Sequence, residues 1–280
     1  MRIAPGGFNI LPLAVKNLLI INGIFFLATL TFNSAFGIDL YRILGLHFFG
    51  ASDFAPYQLV TYMFMHGGFT HLFFNMFALW MFGNVLENVW GPRRFLVYYF
   101  ITGLGAALIH YIVVYFQMLP ELTVINQFIA NPTHEALQVA FAEGYIKAVS
   151  PDSRVAIQQF IELYNQMLDL DRQEALVQAV GFMNQYRIDF LNAPVVVGAS
   201  GAVFGILLAF GMMFPNALIY VFFAIPIKAK YFVMIYGAME LGAGLFGRDG
   251  NIAHFAHLGG MLFGFFLIRY WRSKKNRPLL

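Results

Sequence analysis

Residues 95–116 read FLVYYFITGLGAALIHYIVVYF, an apolar run without a single charged side chain. About 20 such residues are needed for a helix to cross the ~30 Å hydrocarbon core of a bilayer. The run is therefore expected to be a transmembrane helix, and its neighbours repeat the pattern. On its N-terminal side lie apolar runs at Thr70 to Leu86 and Leu18 to Phe36. On its C-terminal side, runs begin near Ser200 and end before Pro215, then cover Tyr231 to Phe246 and Ala253 to Trp271. The first run follows Arg2 and Lys16, as a signal peptide would. It is longer than a usual signal core and more spans follow, so an uncleaved anchor is expected. Between Asn216 and Lys230 the chain is apolar but interrupted by Pro226, and it reads as an interfacial connection.

Composition agrees with lipid as the main solvent. The 280 residues are 60% hydrophobic and 11% charged, with a mean hydropathy of +0.68. Soluble domains carry about 25% charged residues. The chain has no cysteine, which excludes disulfides, thiolate metal sites and a cysteine nucleophile. A net charge of +3 is too diffuse to suggest a nucleic-acid partner.

Six spans put both termini on one side, and the positive-inside rule selects which. With the termini in the cytoplasm, the inner set holds 11 of the 17 Lys and Arg: Arg2, Lys16, Arg93, Arg94, Lys228, Lys230, Arg269, Arg272, Lys274, Lys275 and Arg277. The outer set is Arg42, Lys147, Arg154, Arg172, Arg187 and Arg248. Residues 117–193 then form an extracytoplasmic insert with nine acids and four bases, a net of −5. Ile157, Phe160, Ile161, Tyr164 and Met167 recur at helical spacing within it, as do Leu137, Phe141 and Tyr145. The expected fold is all-α: a polytopic bundle of six transmembrane helices with a helical insert between helices 3 and 4. The expected division is 1–116 for helices 1–3, 117–193 for the insert, and 194–280 for helices 4–6 and a basic tail.

Polar groups inside a bilayer are expensive, so they are functional candidates by default. Three clusters interrupt the spans, all near the outer face in this topology. The first is His66, His71 and Asn75, with Thr70 a candidate N-cap. His71 and Asn75 share one helix face and could converge on a developing oxyanion, or could hydrogen-bond between helices. The second is Gly198-Ala199-Ser200-Gly201 at the start of the fourth span. Small neighbours allow a substrate backbone to approach, and a helix N-terminus offers free N–H groups. The same serine could instead be a simple helix cap. The third is His254-Phe-Ala-His257-Leu-Gly-Gly260, followed by Gly264. Gly260 and Gly264 form a small-xxx-small face that would press the sixth helix against the glycine-bearing start of the fourth. Ser200 and His257 could then meet.

Zinc held by His66, His71, His254 and His257 is a rival, but no His-Glu-x-x-His pair or suitably spaced acid completes a ligand set. A metal is therefore not expected. Glu240, alone inside the fifth span, is the best support for a transporter or channel. Repeated broken half-helices of the transporter kind are missing from the sequence.

Taken in order, His66-x4-His71-x3-Asn75, Gly198-Ala199-Ser200-Gly201 and Ala256-His257-x2-Gly260-x3-Gly264 resemble the rhomboid family of intramembrane serine proteases. The resemblance covers roughly residues 18 to 116 and 194 to 271. It implies a Ser200–His257 dyad acting through an acyl-enzyme, with His71, Asn75 and the Ser200 N–H as the oxyanion hole. It also implies structural roles for His66 and Glu87. No acid sits in an obvious place to orient His257, which fits a dyad. Two features depart from the family pattern. Phe204 stands one turn after the serine, where many members have a tyrosine stacked beneath the histidine, and residues 117–193 replace a short loop. The resemblance implies no metal or organic cofactor and no nucleic acid. The implied partners are the lipid bilayer and single-span or membrane-tethered protein substrates, cut near the outer face. The implied setting is a bacterial plasma membrane. The alternative is a non-catalytic rhomboid-like binder of client membrane helices.

Overall fold

The computed structural model describes residues 8–221, 224–246 and 251–275, with side chains of the last helix described from 253 to 273. Arg2, Arg248 and Arg277 of the charge reading lie outside the described residues, as do the side chains of Lys274 and Lys275. The chain forms two compact units. One comprises Met1–Leu46, Pro56–Val113 and Val196–Leu280, and the other comprises His47–Ala55 and Val114–Val195.

In the first unit, helices occupy every apolar run expected from the sequence. We label them α1 (Leu13–Phe36), α2 (Phe69–Trp90) and α3 (Pro92–Ala130), the last of which continues into the second unit. These three described helices are long and apolar enough to cross a membrane. The expected third span stops at Phe116, whereas α3 runs on unbroken through Pro120 to Ala130. Polarity ends the apolar run at Gln117, but nothing from 117 to 130 breaks the helical backbone.

Helix α2 begins at Phe69 with Gly68 as its cap and no side-chain capping bond, so Thr70 is an internal residue rather than the N-cap. A π-helical turn at Leu79–Gly83 interrupts its α-helical pattern. The far end of α2 carries Glu87, which is only 3% exposed. Its two carboxylate oxygens accept the N–H groups of Ala14 and Val15, each at 2.8 Å. Those are orphan donors at the start of α1, whose own cap, Pro12, offers no side-chain bond. A carboxylate at a helix N-terminus also complements the helix dipole.

In the second unit, α4 (His134–Ala142), α5 (Pro151–Leu170) and α6 (Arg172–Asn192) follow α3. Ser150 and Ser153 form a capping box at the start of α5. Asp171 alone separates α5 from α6 and caps the latter through Gln173 N–H and Glu174 N–H. The rings of Phe160 and Phe182 stack at 4.0 Å between these helices, and Phe141 of α4 stacks on Phe160 at 6.0 Å. Tyr145 departs from its expected helical position. It follows Gly144, whose φ of 72° ends the helical register after Ala142.

The chain then returns to the first unit with α7 (Ser200–Met213), α8 (Ala229–Phe246) and α9 (Asn251–Lys275). At 1.5 Å per residue α7 spans about 21 Å, less than a hydrocarbon core. Most of its side chains are buried, because α2, α8 and α9 all pack on it. Arg272 of α9 donates to the Met212 carbonyl at 2.9 Å, supplying a cation to the carbonyl end of α7. The segment after α7 holds a short strand pair in a chain that is otherwise mostly helical. Leu218–Val221 (β1) and Ile225–Lys228 (β2) pair as an antiparallel hairpin, with Tyr220 opposite Pro226. Proline disfavours a helix there but is tolerated on an edge strand.

Candidate active site

Ser200 is the first residue of α7, and its neighbour Ala199 is the cap. The serine side chain makes no capping bond. Its Oγ lies instead 2.8 Å from Nε2 of His257, less than two turns into α9. The contact depends on how closely α9 approaches α7. A Cβ on Gly260 would collide with the Gly201 carbonyl oxygen, so only glycine lets the two backbones meet here. Gly264 differs from its expected role. It makes room for the Tyr98 hydroxyl of α3, which donates to the Gly205 carbonyl at 2.8 Å. Gly201 likewise faces Ala106 of α3, so its missing side chain serves packing rather than access for a substrate backbone.

The plane of His257 is set by Phe204, whose ring stacks on the imidazole at 4.2 Å and 5°. Tyr236 of α8 stacks on the other face of that phenyl ring at 5.3 Å and 16°. The proton assignment follows from the hydrogen bonds. If the Ser200 O–H donates to Nε2, a neutral imidazole carries its proton on Nδ1.

Nδ1 has a partner that sequence reasoning missed. Glu240 Oε2 lies 2.9 Å from it, and the same oxygen lies 2.8 Å from Nδ1 of His254. Glu240 is therefore within reach of His257, which corrects the expectation that no acid is placed to orient it. A signal existed. Glu240 stands less than two turns before the end of α8, and His257 less than two turns into α9. Consecutive antiparallel helices put these positions at one depth, and an intramembrane acid needs a partner.

The expectation that no acid completes a metal-ligand set is corrected as well. Glu240, His254 and His257 offer ligand atoms within 4.8 Å of one another, while His66 and His71 are not among them. The carboxylate–imidazole separations are nevertheless hydrogen-bond lengths. Ligands around tetrahedral zinc stand roughly 3.3 Å apart, given Zn–N near 2.0–2.1 Å.

Across Ser200 from His257 lies the first turn of α2. The Gly67 N–H points to Nδ1 of His71 at 3.4 Å, which leaves the His71 proton on Nε2. That nitrogen lies beside Gly198. A Cβ at 198 would sit 2.9 Å from it, and Gly198 has a φ of 126°, so glycine is required twice over. The Gly198 N–H donates to the Tyr62 carbonyl at 2.8 Å and pins the loop. Asn75, one turn on, uses one amide proton on the His71 carbonyl at 2.9 Å. His66 stays out of the cavity. It is 1% exposed, its ring meets His71 edge-on at 5.1 Å, and its carbonyl accepts the Tyr41 hydroxyl at 2.7 Å.

Ser200, His257, His71 and Asn75 all line one cavity of about 650 Å³. Its walls continue along α2 through Phe74, Phe77 and Met81, and along α8 through Phe232 and Tyr236. One end is polar and the rest is apolar.

Among models of protein families, the Rhomboid domain matches residues 53–123 and 172–274, more than half of the chain. The chain belongs to the rhomboid family. Residues 124–171 fall between the two matched stretches. A Bacillus subtilis (strain 168) protein named "Putative rhomboid protease YdcA" is 40% identical over 55 residues, 20% of this chain and 28% of that protein. The shared stretch thus spans under a third of the relative's length. With its long apolar helices, this rhomboid is an integral, multi-pass membrane protein.

Proposed function

We propose that this rhomboid is an intramembrane serine endopeptidase. Its substrates are single-span or membrane-tethered proteins, cut near the outer face of the membrane. The observation that carries this reading is the 2.8 Å contact between Ser200 Oγ and His257 Nε2 at the polar end of the cavity. A serine hydroxyl is a weak nucleophile until a base takes its proton. His257 is within reach to do so, in the tautomer that accepts. Ser200 Oγ attacks the scissile carbonyl while its proton passes to Nε2. Negative charge then develops on the carbonyl oxygen. The His71 Nε2–H, the second amide proton of Asn75 and the Ser200 N–H are the donors for it. His257 returns its proton to the leaving amine, and water releases the acyl-enzyme by the same steps.

The apolar length of the cavity suits side chains flanking the cut. A helical substrate must unwind before a carbonyl reaches Ser200, so small or helix-breaking residues are expected near the bond. In this reading α1, α2, α3, α7, α8 and α9 are the six spans, α7 being the short one buried among its neighbours, with both termini cytoplasmic and residues 117–193 extracytoplasmic. The test pairs fluorophosphonate labelling with cleavage of single-span reporters in proteoliposomes. Labelling and cleavage are expected in the wild type and lost in Ser200→Ala and His257→Ala. Unchanged labelling of Ser200→Ala would falsify the assignment.

A further inference from the structure

Among the described residues of α7, α8 and α9, Glu240 is the only acid. Its side chain is 12% exposed. One of its oxygens takes two imidazole N–H groups, from His254 and His257. A carboxylate is an acceptor only, so the bond to Nδ1 selects the His257 tautomer with Nε2 bare. That is the form able to take the Ser200 proton. Phe204 fixes the plane of the ring, but stacking does not choose which edge faces Ser200. Glu240 makes that choice by holding the opposite edge.

We propose, resting on the protease reading above, that Glu240 is a positioning residue completing a Ser200–His257–Glu240 triad. His254 anchors the carboxylate. During attack the serine proton moves to Nε2, Nδ1 keeps its own, and Glu240 stays ionised beside the imidazolium. The charge-assisted bond strengthens at that moment, lowering the barrier without touching substrate. His254, three residues before His257 on α9, keeps the carboxylate from swinging away. The titratable groups beside His257 are Glu240 from α8, His254 from its own helix and His71 from α2, with Tyr236 of α8 beyond the Phe204 ring. Only Glu240 among them brings a negative charge at neutral pH.

The test uses the full-length protein in proteoliposomes with chelator present, a single-span reporter, and Glu240→Gln, Glu240→Asp and Ser200→Ala. Glu240→Gln is expected to lower kcat by at least about 100-fold, with KM within about threefold, since a triad carboxylate can be worth up to ~10⁴ in kcat. Glu240→Asp is expected to recover at least tenfold of the loss. A Glu240→Gln enzyme within threefold of wild-type kcat overturns the positioning role, while a dead Ser200→Ala beside it leaves the protease reading standing. Wild type no faster than Ser200→Ala overturns that reading and the triad together. Activity lost in chelator and restored by Zn²⁺ overturns the triad in favour of a metal at the same three residues. Should the variant not fold, ¹⁵N-histidine spectra of the wild type, assigned with His257→Ala, decide the matter. The His257 proton is expected on Nδ1, and finding it on Nε2 overturns the proposal.

Discussion

The two sides of Ser200 are built on opposite plans. On the α9 side, His257 is held from three directions: Ser200 and Glu240 grip its two nitrogens and Phe204 lies on its face. On the α2 side, the donors are held by their backs and left open at the front. Gly67 occupies the far nitrogen of His71, and Asn75 spends one amide proton on its own helix. A base must be in place before reaction begins. An oxyanion hole is needed only once charge appears, so its donors face an unfilled space until then. In the proposed mechanism, one side is organised for the ground state and the other for the transition state.

This contrast can be broken in graded ways. The greatest loss is expected from His257→Ala, at least about 10⁴-fold in kcat on a reporter, since nucleophile and base act as a unit. Asn75→Ala is expected to lower kcat by about 10²–10³-fold, equivalent to some 2.7–4 kcal/mol, with little change in KM. A KM effect equal to the kcat effect would move Asn75 into ordinary substrate binding. Gly198→Ala is expected to displace His71 and strain the loop by about 1–3 kcal/mol, read as a lower thermal midpoint together with reduced kcat. Phe204→Leu is expected to have the smallest effect, roughly tenfold in kcat, because Glu240 still holds the ring by its edge. A Phe204→Leu enzyme as impaired as Glu240→Gln would make stacking, not the carboxylate, the main constraint on His257.

The helices were legible because lipid demands long apolar runs, and a run such as 95–116 admits one reading. Their ends were less so. Polarity at Gln117 marks where an apolar surface stops, not where a helix stops, and α3 continues to Ala130. The hairpin at Leu218–Lys228 was missed because a short apolar stretch carries no clear period. Ser200, His257, His71 and Asn75 were singled out as polar residues in apolar spans, and the structure gathers them around one cavity. The destinations of the glycines were not legible. Gly201 and Gly264 both face α3, and helix rotation is invisible in a single sequence. Glu240 stands out in the sequence, but its partner does not. Its pairing follows from the common depth of the two positions on consecutive antiparallel helices, but which side chain on α9 faces it depends on helix rotation, which the spacing of seventeen residues does not give.

Glu87 lies at the other end of α2 from His71, yet it bears on the same site. Lipid tails give two apolar helices no preferred sliding position, because every register buries a similar surface. A carboxylate that captures two consecutive N–H groups at 2.8 Å removes that freedom. It fixes both how far α1 is shifted along α2 and which way α1 is turned. The acid works as a surveyor's datum at one end of a rod, from which the height of the histidine at the other end is measured.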